Sequence, residues 1–132
     1  MCNQESNLNT VGKFVLENYK RLAIKESKPS NYIILGDAYF VEKDISKAIE
    51  SYNKAINLDP SFIEAYFRLG KLYSFLKEYS LAIQTYKKVI EIEENCSKSY
   101  YELANIYLLL KNYDMAIERY NQVLKVNHEK PA

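Results

Sequence analysis

The sequence predicts an all-α fold of stacked helix pairs with one further helix in front. Three observations predict it. Residues 32–58 recur at 66–92 and again at 100–126, a shift of 34 residues each time. Tyr32, Leu35, Gly36 and Tyr39 return as Tyr66, Leu69, Gly70 and Tyr73, then as Tyr100, Leu103, Ala104 and Tyr107. Ala48, Ile49, Tyr52 and Ile56 return as Ala82, Ile83, Tyr86 and Ile90, then as Ala116, Ile117, Tyr120 and Leu124. Tyr32, Leu35, Gly36 and Tyr39, and each of their copies, stand at i, i+3, i+4 and i+7, which is one face of a helix. The composition, 48% hydrophobic and 27% charged with net charge +1, fits a single domain of ordinary polarity.

The elements follow in order. Residues 1–9 are polar and read as a loose terminus. From about Thr10 to Lys25, Val11, Phe14, Val15, Tyr19, Leu22 and Ala23 fall at helical spacing. This amphipathic helix lacks the repeat pattern and reads as a cap over the first repeat, so residues 1–28 stand apart. Lys28–Pro29 ends it, because a residue before proline avoids the helical region. The repeats then occupy 29–62, 63–96 and 97–130.

Each repeat holds a helix A and a helix B. In the first, helix A runs from about Ser30 to Val41 and helix B to about Leu58. Asp44 can cap helix B through its carboxylate. Asp59–Pro60 closes the unit, since proline suits the first turn of whatever helix follows. The second repeat predicts helices near 62–76 and 79–93, the third near 96–110 and 113–126, with residues from His128 onward frayed. Glycine inside a helix costs about 1 kcal/mol against alanine, so Gly36 and Gly70 need a packing reason. The sequence offers Ala48 and Ala82 on the facing helices, small residues that let two axes approach to about 8 Å.

The run Tyr32, Leu35–Gly36, Tyr39, Ala48, Tyr52, Ala55 and Pro60, with its two copies, resembles the tetratricopeptide repeat (TPR). The resemblance covers about residues 29–130. Tyrosine stands where tryptophan is common, Ala104 replaces glycine, and Glu94 and His128 replace the closing proline. The resemblance implies a right-handed α-solenoid of three helix-turn-helix units whose A helices line a concave groove. Such grooves bind peptides or helices of partner proteins, and the family is not catalytic as a rule.

By that resemblance the groove face holds Ile33, Asp37 and Phe40, then Phe67, Arg68 and Lys71, then Tyr101, Asn105 and Leu108. Ile33, Phe67 and Tyr101 form an apolar ladder one residue round from the core stripe, suited to anchor apolar side chains of a protein or peptide ligand. The charges there are mixed in sign and read as a solvated rim. One subfamily holds the acidic tails of heat-shock chaperones with lysines, asparagines and an arginine. The matching positions here are Ile33, Asp37, Arg68, Lys98 and Glu102, of which only Lys98 fits. Asp37 and Glu102 would repel a carboxylate tail, so the expected ligand is a more apolar segment.

A second candidate surface is the outer face of the last helix, with Ile117, Leu124 and Val126. Repeat arrays normally end in a polar cap. An apolar end face suggests that the native chain continues, or that another subunit sits there as in a homo-oligomer or an assembly scaffold, or that the face is less apolar than its spacing implies.

Other chemistry finds little support. The near-neutral charge argues against nucleic acid, which needs a concentrated basic field. No apolar run reaches the ~20 residues of a membrane-crossing helix. The single histidine is His128, no His/Cys/Asp group has metal-ligand spacing, and three scattered glycines make no phosphate loop, so no cofactor, metal or enzymatic activity is expected. Cys2 and Cys96 make no disulfide framework and fit a reducing, cytoplasmic setting. The alternative is a bacterial envelope lipoprotein anchored through Cys2, with residues 3–7 as a polar tether.

Overall fold

The computed structural model describes residues 3–129, with side chains described for residues 11–128. Among the described residues there are seven α-helices and no strand: α1 (Asn3–Lys25), α2 (Pro29–Val41), α3 (Ile45–Leu58), α4 (Ile63–Phe75), α5 (Tyr79–Ile92), α6 (Ser97–Leu109) and α7 (Tyr113–Glu129). α1 begins at Asn3 instead of near Thr10, so the expected loose segment is helical over residues 3–9. That stretch has no proline or glycine to interrupt a helix. α7 continues through His128 to Glu129, where the sequence suggests fraying. Cys2 lies outside the described residues. The chain divides into two units, with the division between Ala65 and Tyr66 inside α4.

In the first unit α1 packs on α2 and α2 on α3. Pro29 occupies the first turn of α2, where its missing N–H costs nothing. Asn31 Nδ2 donates to the Glu26 carbonyl at 2.9 Å and ties the α1–α2 turn to the start of α2. Asp44 caps α3 as expected, accepting from the Lys47 N–H at 3.3 Å. The core holds Ala23, Leu35, Tyr39, Ala48, Tyr52 and Ala55. α1 does not present the whole of its expected stripe: Ala23 is buried, but Val11, Phe14 and Val15 are exposed. Gly12, Leu16, Tyr19 and Ala23 stand at i, i+4, i+7 and i+11 and are the covered line instead.

In the second unit α5 packs on α6 and α6 on α7. α4 meets α5 through the rings of Phe67 and Tyr86, whose centroids are 5.9 Å apart. Tyr86, Val89 and Leu103 are fully buried. Tyr100 Oη donates to the Glu94 carbonyl at 2.9 Å and holds the turn before α6.

The sequence sets each helix A glycine against the alanine of helix B. The structure instead lays a tyrosine ring over it. A Cβ on Gly36 would overlap the Tyr52 ring, and one on Gly70 would stand 2.6 Å from Tyr86 Cζ. The alanines are still buried in the seam, but the ring is what needs the missing side chain.

α2, α4 and α6 all stop in the same way. Lys43, Lys77 and Lys111 have φ of 65°, 62° and 62°, the left-handed region. Their N–H groups donate to the carbonyls of Phe40, Ser74 and Leu108, and the N–H groups of Asp44, Glu78 and Asn112 reach back to Tyr39, Tyr73 and Tyr107. This pair of bonds is a Schellman stop, which satisfies carbonyls that the helix end leaves open. A lysine there carries about 1–2 kcal/mol of steric cost that glycine would not.

Candidate interaction surface

The expected ladder divides on burial. Ile33 and Phe67 are each 5% exposed, whereas Tyr101 is 50% exposed. Within its unit Phe67 meets the Tyr86 ring and has the Lys98 ammonium 4.5 Å from its centroid. Such a cation–π contact occupies part of the ring face. Ile33 and Phe67 are therefore corrected from open anchors to buried packing residues. Helical spacing places a residue round the axis but does not show what lies over it.

Tyr101 is the open member of the ladder. Its ring stands edge-on to Tyr120, centroids 6.2 Å apart. Asn105 and Leu108 follow at i+4 and i+7 on the same face of α6, and Leu108 is half-exposed. Asn105 Oδ1 accepts from Tyr120 Oη at 2.5 Å, which leaves the Nδ2 donors outside that bond. Arg68 is half-buried and Lys71 exposed on α4. In the first unit Asp37 accepts from Tyr52 Oη at 2.5 Å, and Phe40 is partly exposed.

The α7 surface also divides. Ile117 and Leu124 are each 59% exposed, but Val126 is buried at 8% and belongs to the core. Tyr113 joins the open stripe, four residues before Ile117. The equivalent residues of α5, Tyr79, Ile83 and Ile90, are half-covered, and α6 packs on that helix.

One apolar feature escaped the sequence reading. Val41, Phe75 and Leu109, the last residues of α2, α4 and α6, are all largely exposed. Their 34-residue spacing was a visible signal. It lies two residues past the last tyrosine of the helix A core pattern.

Titratable groups are few in the interior. Burial pushes the Tyr86 phenol above its ordinary range, and the nearby Glu102 carboxylate adds to the rise. Among the described residues no group of three or more His, Cys, Asp or Glu could hold a metal ion, and no helix is long and apolar enough to cross a membrane. Cys96 is a free, partly exposed thiol before α6.

Comparison with known proteins places these helix pairs. A TPR repeat is matched over residues 36–74, and tetratricopeptide repeats over 63–96 and 97–130. No curated protein matches the sequence at a significant level. Two crystal structures of MamA are each 26% identical, with TM-scores of 0.79 and 0.80, and cover 86% and 90% of this chain. MamA 41-end from Desulfovibrio magneticus RS-1 is 21% identical with a TM-score of 0.74, over 96% of this chain, and so shows likeness of fold. This chain spans 67%, 66% and 72% of those three structures. With three tandem matches over residues 36–130 and the helix pairs to go with them, the chain belongs to the tetratricopeptide repeat family of protein-interaction modules.

Proposed function

We propose that the chain docks an apolar or amphipathic segment of a partner protein on the α6 face of its second unit, with Tyr101 and Leu108 as anchors. The observation that carries this reading is the half-exposed Tyr101 ring, backed edge-on by Tyr120 and level with an equally open Leu108. A rigid aromatic group that is already ordered loses little entropy when a partner covers it. Asn105, bonded to Tyr120, would give the partner an N–H donor between the two anchors.

The test is selection of displayed amphipathic helical peptides against the wild type and a Tyr101→Ala variant. Peptides retained by the wild type should bind the variant about 5- to 150-fold more weakly, the range of a ~1–3 kcal/mol interface anchor. Peptides held equally by both would remove Tyr101 from the site.

A second reading rests on α7. Tyr113, Ile117 and Leu124 are open where the same positions of α5 are half-covered, so a helix from a second copy could take the place that α6 takes on α5. Light scattering of the wild type and of Leu124→Glu tests it. A dimer that the variant dissolves would support assembly. A monomer in both would leave docking alone.

A further inference from the structure

The second repeat breaks a hydrogen-bond pattern that the other two keep. Tyr52 Oη donates to Asp37 Oδ1 and Tyr120 Oη to Asn105 Oδ1, each at 2.5 Å and each pair 15 residues apart. The matching pair in the second repeat is Tyr86 and Lys71. A protonated lysine carries three donors and no acceptor, so it cannot take the place of Asp37 or Asn105. Tyr86 is fully buried, and its hydroxyl has no hydrogen-bond partner among the described residues. Buried polar atoms are nearly always paired, and one left open calls for an explanation.

The surroundings indicate what would satisfy it. Tyr86 Cζ, the atom that carries the hydroxyl, is the ring atom nearest to where a Gly70 Cβ would stand. The hydroxyl is therefore presented to the stretch of α4 from which Lys71 projects. The Lys71 side chain is exposed and joins no ion pair among the described residues, so its flexible stem can turn aside. The Tyr86 ring cannot, since Gly70 and Phe67 hold it. The donor is fixed, and the lysine next to Gly70 is movable.

We infer that the Tyr86 hydroxyl and the Lys71 ammonium form an acceptor subsite, in which a side-chain carbonyl oxygen of the partner takes the place filled elsewhere in the chain by Asp37 and Asn105. The inference rests on the docking reading above and adds one polar position to an otherwise apolar ligand. The oxygen can come from an amide or a carboxylate. Glu102, the negative group beside Tyr86, favours the amide. Lys71, and Lys98 over Phe67, favour the acid.

The test uses two small probes and the selected peptides. Protein labelled with 13C at tyrosine Cζ is titrated with acetamide and, separately, with acetate at constant ionic strength. The Tyr86 resonance should shift and saturate with at least one probe, while those of Tyr52 and Tyr120 stay still. The shift should vanish in Lys71→Asn, which supplies the acceptor within the chain. A Tyr86 resonance that neither probe moves, or that moves as far in Lys71→Asn, overturns the subsite. So does a long-lived water on the Tyr86 hydroxyl that neither probe displaces.

In the selected peptides, replacing the amide or acid by alanine should weaken binding to the wild type roughly tenfold or more and to Tyr86→Phe hardly at all. Tyr86→Phe removes only an unpaired oxygen, so its fold is kept. Peptides that need Tyr101 but ignore Tyr86 would overturn the subsite and leave docking standing. An empty selection beside a saturable probe shift would do the reverse.

Discussion

In the first and third repeats the tyrosine of helix B reaches across to an oxygen on helix A; in the second the matching helix A residue is Lys71 and the Tyr86 hydroxyl is left without a partner among the described residues. The pairs are otherwise alike, with a small residue at Gly36, Gly70 or Ala104 and a buried alanine on the facing helix. The seam is therefore held by packing in all three, and the hydrogen bond is an added layer that one repeat omits. Tyr86 is also the most enclosed of the three rings, while Tyr120 keeps some exposure. The second repeat combines the tightest packing with the open donor.

The largest predicted difference lies in the ladder. Phe67→Ala should destabilise by about 3–5 kcal/mol in denaturant unfolding, because it empties a buried site against Tyr86. Tyr101→Ala, half-exposed, should cost far less. Equal losses would mean that Tyr101 is as much a core residue as Phe67.

The seam comes next. Gly70→Ala would place a Cβ 2.6 Å from Tyr86 Cζ and should cost about 1–3 kcal/mol in spite of alanine's better helix propensity. The third repeat already carries alanine there, and its Tyr120 is less enclosed than Tyr86, so Ala104→Gly should lose about 1 kcal/mol of helix propensity. A stabilising Gly70→Ala, read from the thermal midpoint, would show that Tyr86 is not fixed.

Then the hydrogen bonds. Tyr52→Phe and Tyr120→Phe should each cost about 0.5–1.5 kcal/mol, and Tyr86→Phe should be neutral or stabilising. The pH dependence separates them too. The folded Tyr86 phenol titrates above the unfolded one, whose ordinary value is 10.0. As pH rises past about 10 the unfolded state releases a proton that the folded state keeps, so stability falls. Tyr86→Phe should flatten that alkaline loss in stability-versus-pH curves.

The smallest effect belongs to the turns, where the repeats agree. Lys43→Gly, Lys77→Gly and Lys111→Gly should each stabilise by about 0.5–1 kcal/mol, since each relieves a left-handed lysine. Unequal gains in melting temperature would show that one turn bears a load the others do not.

The fold was legible because its signals are local. The 34-residue period, the helical spacing of Tyr32, Leu35 and Tyr39, and the Asp44 cap each act over a few residues of chain. The site was less legible because it depends on what covers a face. Ile33, Phe67 and Tyr101 are equivalent in register, yet Lys98 lies over the Phe67 ring and Tyr101 is left open. Val126, by contrast, stands about half a turn round α7 from both Ile117 and Leu124, so helical spacing already sets it on the opposite face, and its burial agrees. The Tyr86–Lys71 mismatch could have been read by aligning Asp37, Lys71 and Asn105. Its meaning required the Tyr52 and Tyr120 bonds to be seen.

The most direct test is a double-mutant cycle between Lys71→Asn and Tyr86→Phe, followed by denaturant unfolding. Lys71→Asn should stabilise the wild type by about 1 kcal/mol, by giving the orphan hydroxyl its acceptor, and should do nothing in the Tyr86→Phe background. Equal effects in both backgrounds would contradict the account, because Tyr86 would then not be the donor that the second repeat leaves open.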